Sequence, residues 1–293
     1  MSVAIVYDQD VIFTGHYGTT STTSNTPPTN DTIWLGKNEQ PVNIDELAKQ
    51  QLVDYDSHRP GSLFEEPGLK LSVADAYALQ FEVARLREER GEAIAGYKIG
   101  CVSAVMQAQL GLDQPVFGHV FDSELHLSGV TLDPANYDGL AIEGEFAVRI
   151  GDDVRSSVSE FAVIELHNYV IRRPPLTAQE LIANNAIHAG AVLPAAERRI
   201  LRGPGELLHE SIAVFRNGEN LGTATGRALP DGPLGSVARL ARHLEQYGKG
   251  IHPGQLVLTG SPLPLYPAKC GDRFEVRCER LAAVTAVILG KPY

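Results

Sequence analysis

The clearest pattern along the chain is a period of two over residues 141–150, A-I-E-G-E-F-A-V-R-I. Ile142, Phe146, Val148 and Ile150 fall on one side with Gly144, while Glu143, Glu145, Ala147 and Arg149 fall on the other. That alternation predicts a strand with two unlike faces. Residues 3–7, 11–14, 97–99, 161–166, 255–259, 273–278 and 282–289 also read as strands. Residues 211–215 and 221–225 flank Asn217-Gly218, a hairpin signal. Helices announce themselves by caps. Asn43 with Glu46 opens a short one to about residue 52, and Ser103 opens another to Leu110. Ser72 begins a stronger helix, with Val73, Ala76, Tyr77, Leu79, Gln80, Val83 and Leu86 on one side, stopped by Gly91. Thr177 and Glu180 form a capping box for a helix to about His188, and a last helix spans about 234–247 before Gly248.

Strands and helices do not alternate regularly, which disfavours a doubly wound parallel sheet and points to an α+β protein. Residues 19–31 are rich in Thr, Ser, Asn and Pro and read as a loop or arm. We therefore expect an N-terminal arm or small cap over 1–69 and a catalytic domain over 70–293.

Composition narrows the class. Of 293 residues, 43% are hydrophobic and 21% charged, an ordinary globular balance. The formal charge of −11 argues against a nucleic-acid partner, which needs clustered positive charge. Three cysteines, Cys101, Cys270 and Cys278, lack C-x-x-C spacing, so neither a zinc site nor a disulfide framework is expected, and a reducing cytoplasm fits. With no secretory leader and no apolar run near the roughly 18 residues of a span, a soluble cytoplasmic protein without membrane contact is the expectation.

The acidic face of 141–150 carries the candidate chemistry. Residues i and i+2 lie about 6.5–7 Å apart on one face, and two carboxylates there repel unless something positive sits between them. The bland alternative is a solvated strand surface with Arg149 as partner. Glu165, inside the apolar run F-A-V-I-E-L, adds a third carboxylate where an unpartnered one would be costly, although an exposed edge strand would also accommodate it. Three carboxylates from two adjacent strands would suit Mg²⁺ or Mn²⁺. Lys98, between glycines in G-Y-K-I-G, could meet a bound carboxylate or act as a base, or simply lie on the surface. His119, His126, His167 and His188 are further candidates. His167 shares the Glu165 face and is the best of them as an acid or base. Tyr169 is next on that face.

Taken in order, these segments resemble the hydratase/decarboxylase branch of the fumarylacetoacetate hydrolase superfamily. Gly96 to Gly118 looks like the Lys-bearing entry motif, Glu143-Gly144-Glu145 the E-x-E pair, and Val163 to Leu166 the segment of the third ligand. Ala183-Asn184-Asn185-Ala186, L-V-L-T-G-S ending at Ser261, and C-G-D-R-F-E follow in order. The resemblance implies a long, strongly curved mixed sheet rolled around a metal site, with helices outside. It implies Glu143, Glu145 and Glu165 as ligands, with Asn184, Asn185 and Ser261 at the substrate, and Tyr169 is expected to point into the pocket where the family's Ser-Arg pair is missing. The substrate would be a small 2-oxo or 2-hydroxy enoic acid that chelates the metal and passes through an enolate. An assembly of like subunits is also implied.

The departures matter equally. Val116 stands in P-V-F-G where these hydratases carry Asp. Asn184 replaces an acid, Tyr169-Val170 replaces a Ser-Arg pair, and Gly232 and Gly235 replace His and Asn. Enolate stabilisation survives these losses better than water activation. This favours a member redirected to decarboxylation, C–C cleavage, isomerisation or cyclisation, beside ordinary dienoate hydration. A catalytically inactive partner subunit is the alternative from another class. A glycosidase-like use of Glu143 and Glu145 is disfavoured, because both point the same way from one strand.

Overall fold

The computed structural model describes residues 2–7, 10–16, 42–66, 68–151, 158–172, 174–200 and 206–290. The chain divides into two compact units, Met1–Val42 and Asn43–Tyr293. In the first, β1 (Ser2–Tyr7) and β2 (Asp10–His16) pair as an antiparallel hairpin where two strands are expected. The Thr-rich stretch 19–31 lies outside the described residues. The first capped helix belongs to the larger unit.

In chain order that unit runs α1 (Ile44–Asp56), α2 (Val73–Glu89), β3 (Ile94–Gly100), α3 (Ala104–Leu110), β4 (Val116–Phe121), β5 (Leu125–Leu127) and β6 (Val130–Leu132). The long pair β7 (Leu140–Ile150) and β8 (Val158–Asn168) follows, then α4 (Ala178–Ala183), β9 (His188–Leu193), β10 (Arg198–Ile200) and α5 (Glu206–His209). It closes with β11 (Ser211–Arg216), β12 (Glu219–Thr225), α6 (Gly232–Glu245), β13 (Leu256–Leu258), β14 (Tyr266–Pro267), β15 (Arg273–Cys278) and β16 (Val284–Ile288). Among the described residues, no helix is long and apolar enough to cross a membrane.

Most caps work as read. The Asn43, Ser103 and Thr177 side chains each accept an N–H three residues on, and Ser72 with Asp75 completes a capping box. The helix opened by Thr177 is the exception. It ends at Ala183 instead of about His188, because Asn185, Ala186 and Ile187 adopt φ of 53°, 51° and 56°. A left-handed run cannot continue a right-handed helix.

The larger sheet is mixed, in the order β4-β3-β13-β7-β8-β9-β5, with β14 beside β7 and β10 beside β8. The smaller has the order β12-β11-β15-β16-β6. The apolar face of β7 packs against the smaller sheet. Ile142, Phe146, Val148 and Ile150 join Ile212, Val214, Phe274 and Val276 in one buried cluster. Gly144 sits at the closest approach, where an added Cβ would lie 2.6 Å from Val214 Cγ2 and 3.1 Å from Val276 Cγ2. The glycine between the two glutamates is thus explained by the opposite face. A second cluster joins Tyr97, Ile99, Phe117 and Val257 to α1, α2, α4 and α6 through Ala48, Tyr77, Leu79, Ile182 and Leu240.

Curvature follows from one contact. Strands β3 and β8 are three steps apart, about 14 Å in a flat sheet, yet Lys98 Nζ on β3 lies 3.3 Å from Glu165 Oε1 on β8. The curl of the sheet turns both side chains inward, and its inner face is the acidic one.

Candidate metal centre

Antiparallel register sets Glu143 of β7 directly opposite Glu165 of β8. On that inner face Ala147, Phe161, Val163, Ala191 and Leu258 form a dry apolar cluster alongside the acids. Glu165, Glu145, His167, His188 and Lys98 are all buried, whereas the Glu143 side chain keeps 21% of its exposure and forms the open side. Arg149 is no partner for these acids, since it pairs with Glu197 at 2.6 Å and Gly254 O at 3.0 Å. The solvated-surface reading therefore fails for Glu145 and Glu165.

Glu165 is surrounded by nitrogen groups. His188 Nδ1 hydrogen-bonds its Oε1 at 2.7 Å, and Lys98 lies 3.3 Å from the same oxygen. Burial pushes the Glu165 carboxyl up, but Lys98, His167 and His188 together hold it well below the usual carboxylate range. For Lys98, burial pulls down, while Glu165, Glu145 and Glu143 outweigh it and keep the ammonium above its ordinary value. Glu145 goes the other way. Burial raises it well above the carboxylate range, and the charges of Glu165 and Glu143 act in the same sense. Two neighbouring acids driven apart in this way are characteristic of functional sites.

The structure brings one atom each of Glu143, Glu165 and His167 within 4.8 Å of one another. His167 Nε2 lies 3.2 Å from Glu143 Oε2 and 3.6 Å from Glu165 Oε2, yet neither ring nitrogen is aligned for a hydrogen bond, and Glu165 Oε2 also lacks a partner. Buried polar atoms are nearly always paired, so this cluster of orphans fits a divalent cation. Glu145, the expected third carboxylate, faces the same group, but its Oε2 accepts the Gly260 N–H at 3.0 Å.

The other expected site residues are placed differently. Asn185 is committed to the β4 backbone, its Oδ1 accepting from His119 N–H at 2.7 Å and its Nδ2 donating to His119 O at 2.8 Å. Asn184 Oδ1 accepts from Gln51 Nε2 at 2.5 Å, tying α4 to α1. Both amides serve the architecture in this arrangement. Ser261 Oγ bridges Gly144 O at 3.1 Å and Leu263 O at 2.8 Å, which pins the Gly260 loop beside the glutamates. Tyr169 lies one residue past β8, 47% exposed. His119 is pushed down to about 3 by burial and packs edge-on to Phe81, outside the acidic group. The grip of His188 on Glu165 was not legible, because a 3-10 turn and a bulge between Leu166 and His167 separate the two strands' patterns.

A curled mixed sheet with an acidic cluster on its inner face is the fold of the fumarylacetoacetate hydrolase superfamily, and the comparisons agree. No family model matches the chain. It is 30% identical over 223 residues to a 2-hydroxyhexa-2,4-dienoate hydratase of Comamonas testosteroni, covering 72% of this chain and 84% of that protein. It is 28% identical over 255 residues to a 4-oxalocrotonate decarboxylase of Pseudomonas putida, covering 82% and 93%. The structure of 4-oxalocrotonate decarboxylase from Pseudomonas putida G7, complexed with magnesium and adipate, matches at TM-score 0.74 and 25% identity, over 84% of this chain and 97% of that one. Fumarylpyruvate hydrolase from Pseudomonas aeruginosa, with Mn²⁺ and pyruvate, shares the fold at TM-score 0.52 and 18% identity, over 67% and 89%. The chain belongs to the hydratase/decarboxylase family of this superfamily, and it is an enzyme of that family.

Proposed function

We propose that the enzyme is a divalent-metal-dependent lyase acting on a small 2-oxo or 2-hydroxy enoic acid. The observation that carries this reading is the cluster of half-buried Glu143 with buried Glu165 and His167, where Glu165 Oε2 and the His167 nitrogens are unpaired beside the Lys98 ammonium. Glu143 and Glu165 would hold the cation, with Glu145 next to it, and Mg²⁺ or Mn²⁺ is the natural choice for an acidic site. The bound cation would supply Lewis acidity at the C1 carboxylate and C2 oxygen, where enolate charge develops. Relatives named for 2-hydroxydienoate hydration and 4-oxalocrotonate decarboxylation support this substrate class.

The chain's own residues do the rest. Lys98 neutralises the substrate carboxylate from a site that excludes water, where an ion pair is strongest. His188 fixes the Glu165 carboxylate through one oxygen and leaves the other free. Ser261 and the Gly260 N–H hold the loop that closes over Glu145.

The reaction is proposed to have moved away from hydration. Val116, at the position of the hydratases' Asp, is buried in the helix-side apolar cluster, and Tyr169 is half exposed where a Ser-Arg pair would meet the substrate. The test is Mg²⁺-dependent consumption of 2-hydroxypenta-2,4-dienoate against 4-oxalocrotonate, followed by ultraviolet absorbance, with Lys98→Ala as control. Decarboxylation faster than hydration, both abolished by Lys98→Ala, is expected. Efficient hydration would remove the redirection. No turnover of any 2-oxo acid despite cation binding would make the chain a partner subunit.

A further inference from the structure

We infer that His167 is itself a ligand of the cation, which makes the centre a mixed nitrogen–oxygen site that selects Mn²⁺ or Co²⁺ over Mg²⁺. This rests on the proposed cation at Glu143 and Glu165 and adds a ligand the three-carboxylate pattern lacks.

Three observations converge. The first is spacing. Around one ion with bonds of about 2.1 Å, neighbouring ligand atoms in an octahedron lie about 3 Å apart. Nε2 of His167 is 3.2 Å from Glu143 Oε2 and 3.6 Å from Glu165 Oε2. The second is orphaning. A buried neutral imidazole ordinarily uses at least one nitrogen in a hydrogen bond. His167 uses neither, although a carboxylate oxygen stands within reach of Nε2. An imidazole nitrogen that stands beside two carboxylate oxygens without the alignment to donate to either fits a ligand shared with them. The third is position, since Glu145 is not among the residues whose ligand atoms group within 4.8 Å. Its Oε2 accepts the Gly260 N–H.

The backbone supports the assignment. His167 lies two residues beyond Glu165 on one face of β8, opposite the small Ala141 of β7 and paired with His188 of β9. The Ala141 methyl leaves room for the ring, and the β7–β8 register runs unbroken through His167, so its side chain shares the face of Glu143 and Glu165. Imidazole favours first-row transition ions, while all-oxygen sets suit Mg²⁺.

The test uses the full chain loaded with Mn²⁺ and read by pulsed electron paramagnetic resonance. Modulation from a directly coordinated ¹⁴N is expected in the wild type, kept in His188→Asn and lost in His167→Leu. Titration calorimetry should show the Mn²⁺-to-Mg²⁺ affinity ratio falling about tenfold in His167→Leu. Bound Mn²⁺ without ¹⁴N coupling overturns the proposal and leaves the carboxylate site standing, as does modulation that persists in His167→Leu. If His167→Leu does not fold, His188→Asn decides, because loss of the modulation there assigns the nitrogen to His188. Failure of the wild type to bind Mn²⁺ at all removes the cation reading itself.

Discussion

Two buried polar groups in this molecule look alike in sequence and differ in how their atoms are spent. At the Asn184–Asn185 turn the amides are engaged, to Gln51 and to both backbone atoms of His119. At the junction of β7 and β8, Glu165 Oε2 and both nitrogens of His167 have no partner. Satisfied polar atoms specify a fold, and unsatisfied ones store a cost that a ligand can relieve. The difference separates architecture from chemistry where residue type alone does not.

Substitutions at the two regions should break apart accordingly. The largest effect is expected for Glu165→Gln, which should weaken Mn²⁺ binding more than about a thousandfold, or ~4 kcal/mol, in a protein that keeps its folded circular dichroism spectrum but melts earlier because buried Lys98 loses its partner. Retained affinity would remove Glu165 from the site. Asn185→Ala should do the reverse. It strands the His119 N–H and C=O, costing about 3 kcal/mol of stability in urea unfolding, with cation affinity intact in the folded protein. If metal binding falls instead, Asn185 belongs to the site after all.

Gly144→Ala probes the layer beneath the glutamates. The added methyl meets Val214 at 2.6 Å, and overpacking of this kind costs about 2 kcal/mol. Its signature is a modest drop in both stability and affinity, since β7 carries Glu143 and Glu145 on either side. A neutral result would mean the two sheets separate freely there.

The smallest effect concerns an ion pair that belongs to neither region. Glu92 is raised by burial, but hydrogen bonds from Arg87 and Ser123 and the Arg87 charge bring it down to about 2. A folded-state value below the unfolded one adds stability above about pH 4.5, the ordinary value, and that share disappears as pH falls towards 2. Glu92→Gln should therefore lose less stability than wild type over that interval, by under about 1 kcal/mol after solvent screening. Parallel acid-unfolding curves would contradict the ion pair.

The sequence made much of this visible, for identifiable reasons. The β7 alternation, the capped helices and the Asn217-Gly218 hairpin are local signals, and all three persist, with Asn217 and Gly218 at φ of 55° and 88°. The face shared by Glu143, Glu145 and Glu165 was legible because period and register are fixed by the pleat. What was not legible depends on distant chain. The helix at 178–183 stops early because Asn185 is drawn to His119, and an added Cβ at Gly118 would lie 2.4 Å from Asn185 O. Strands β4 and β9 carry short apolar runs with no alternation. The hydrogen bond to Glu145 was hidden too, because the Gly260 N–H arrives from a loop more than a hundred residues away.

The most direct test of the central claim is calorimetric titration of oxalate, a planar mimic of the C1 carboxylate and C2 oxygen of an enolate, into the protein with and without Mn²⁺. Binding should require Mn²⁺ and disappear in Glu165→Gln. Binding that is equally strong without the cation, or unchanged in that variant, would contradict a metal-chelating site on Glu143 and Glu165.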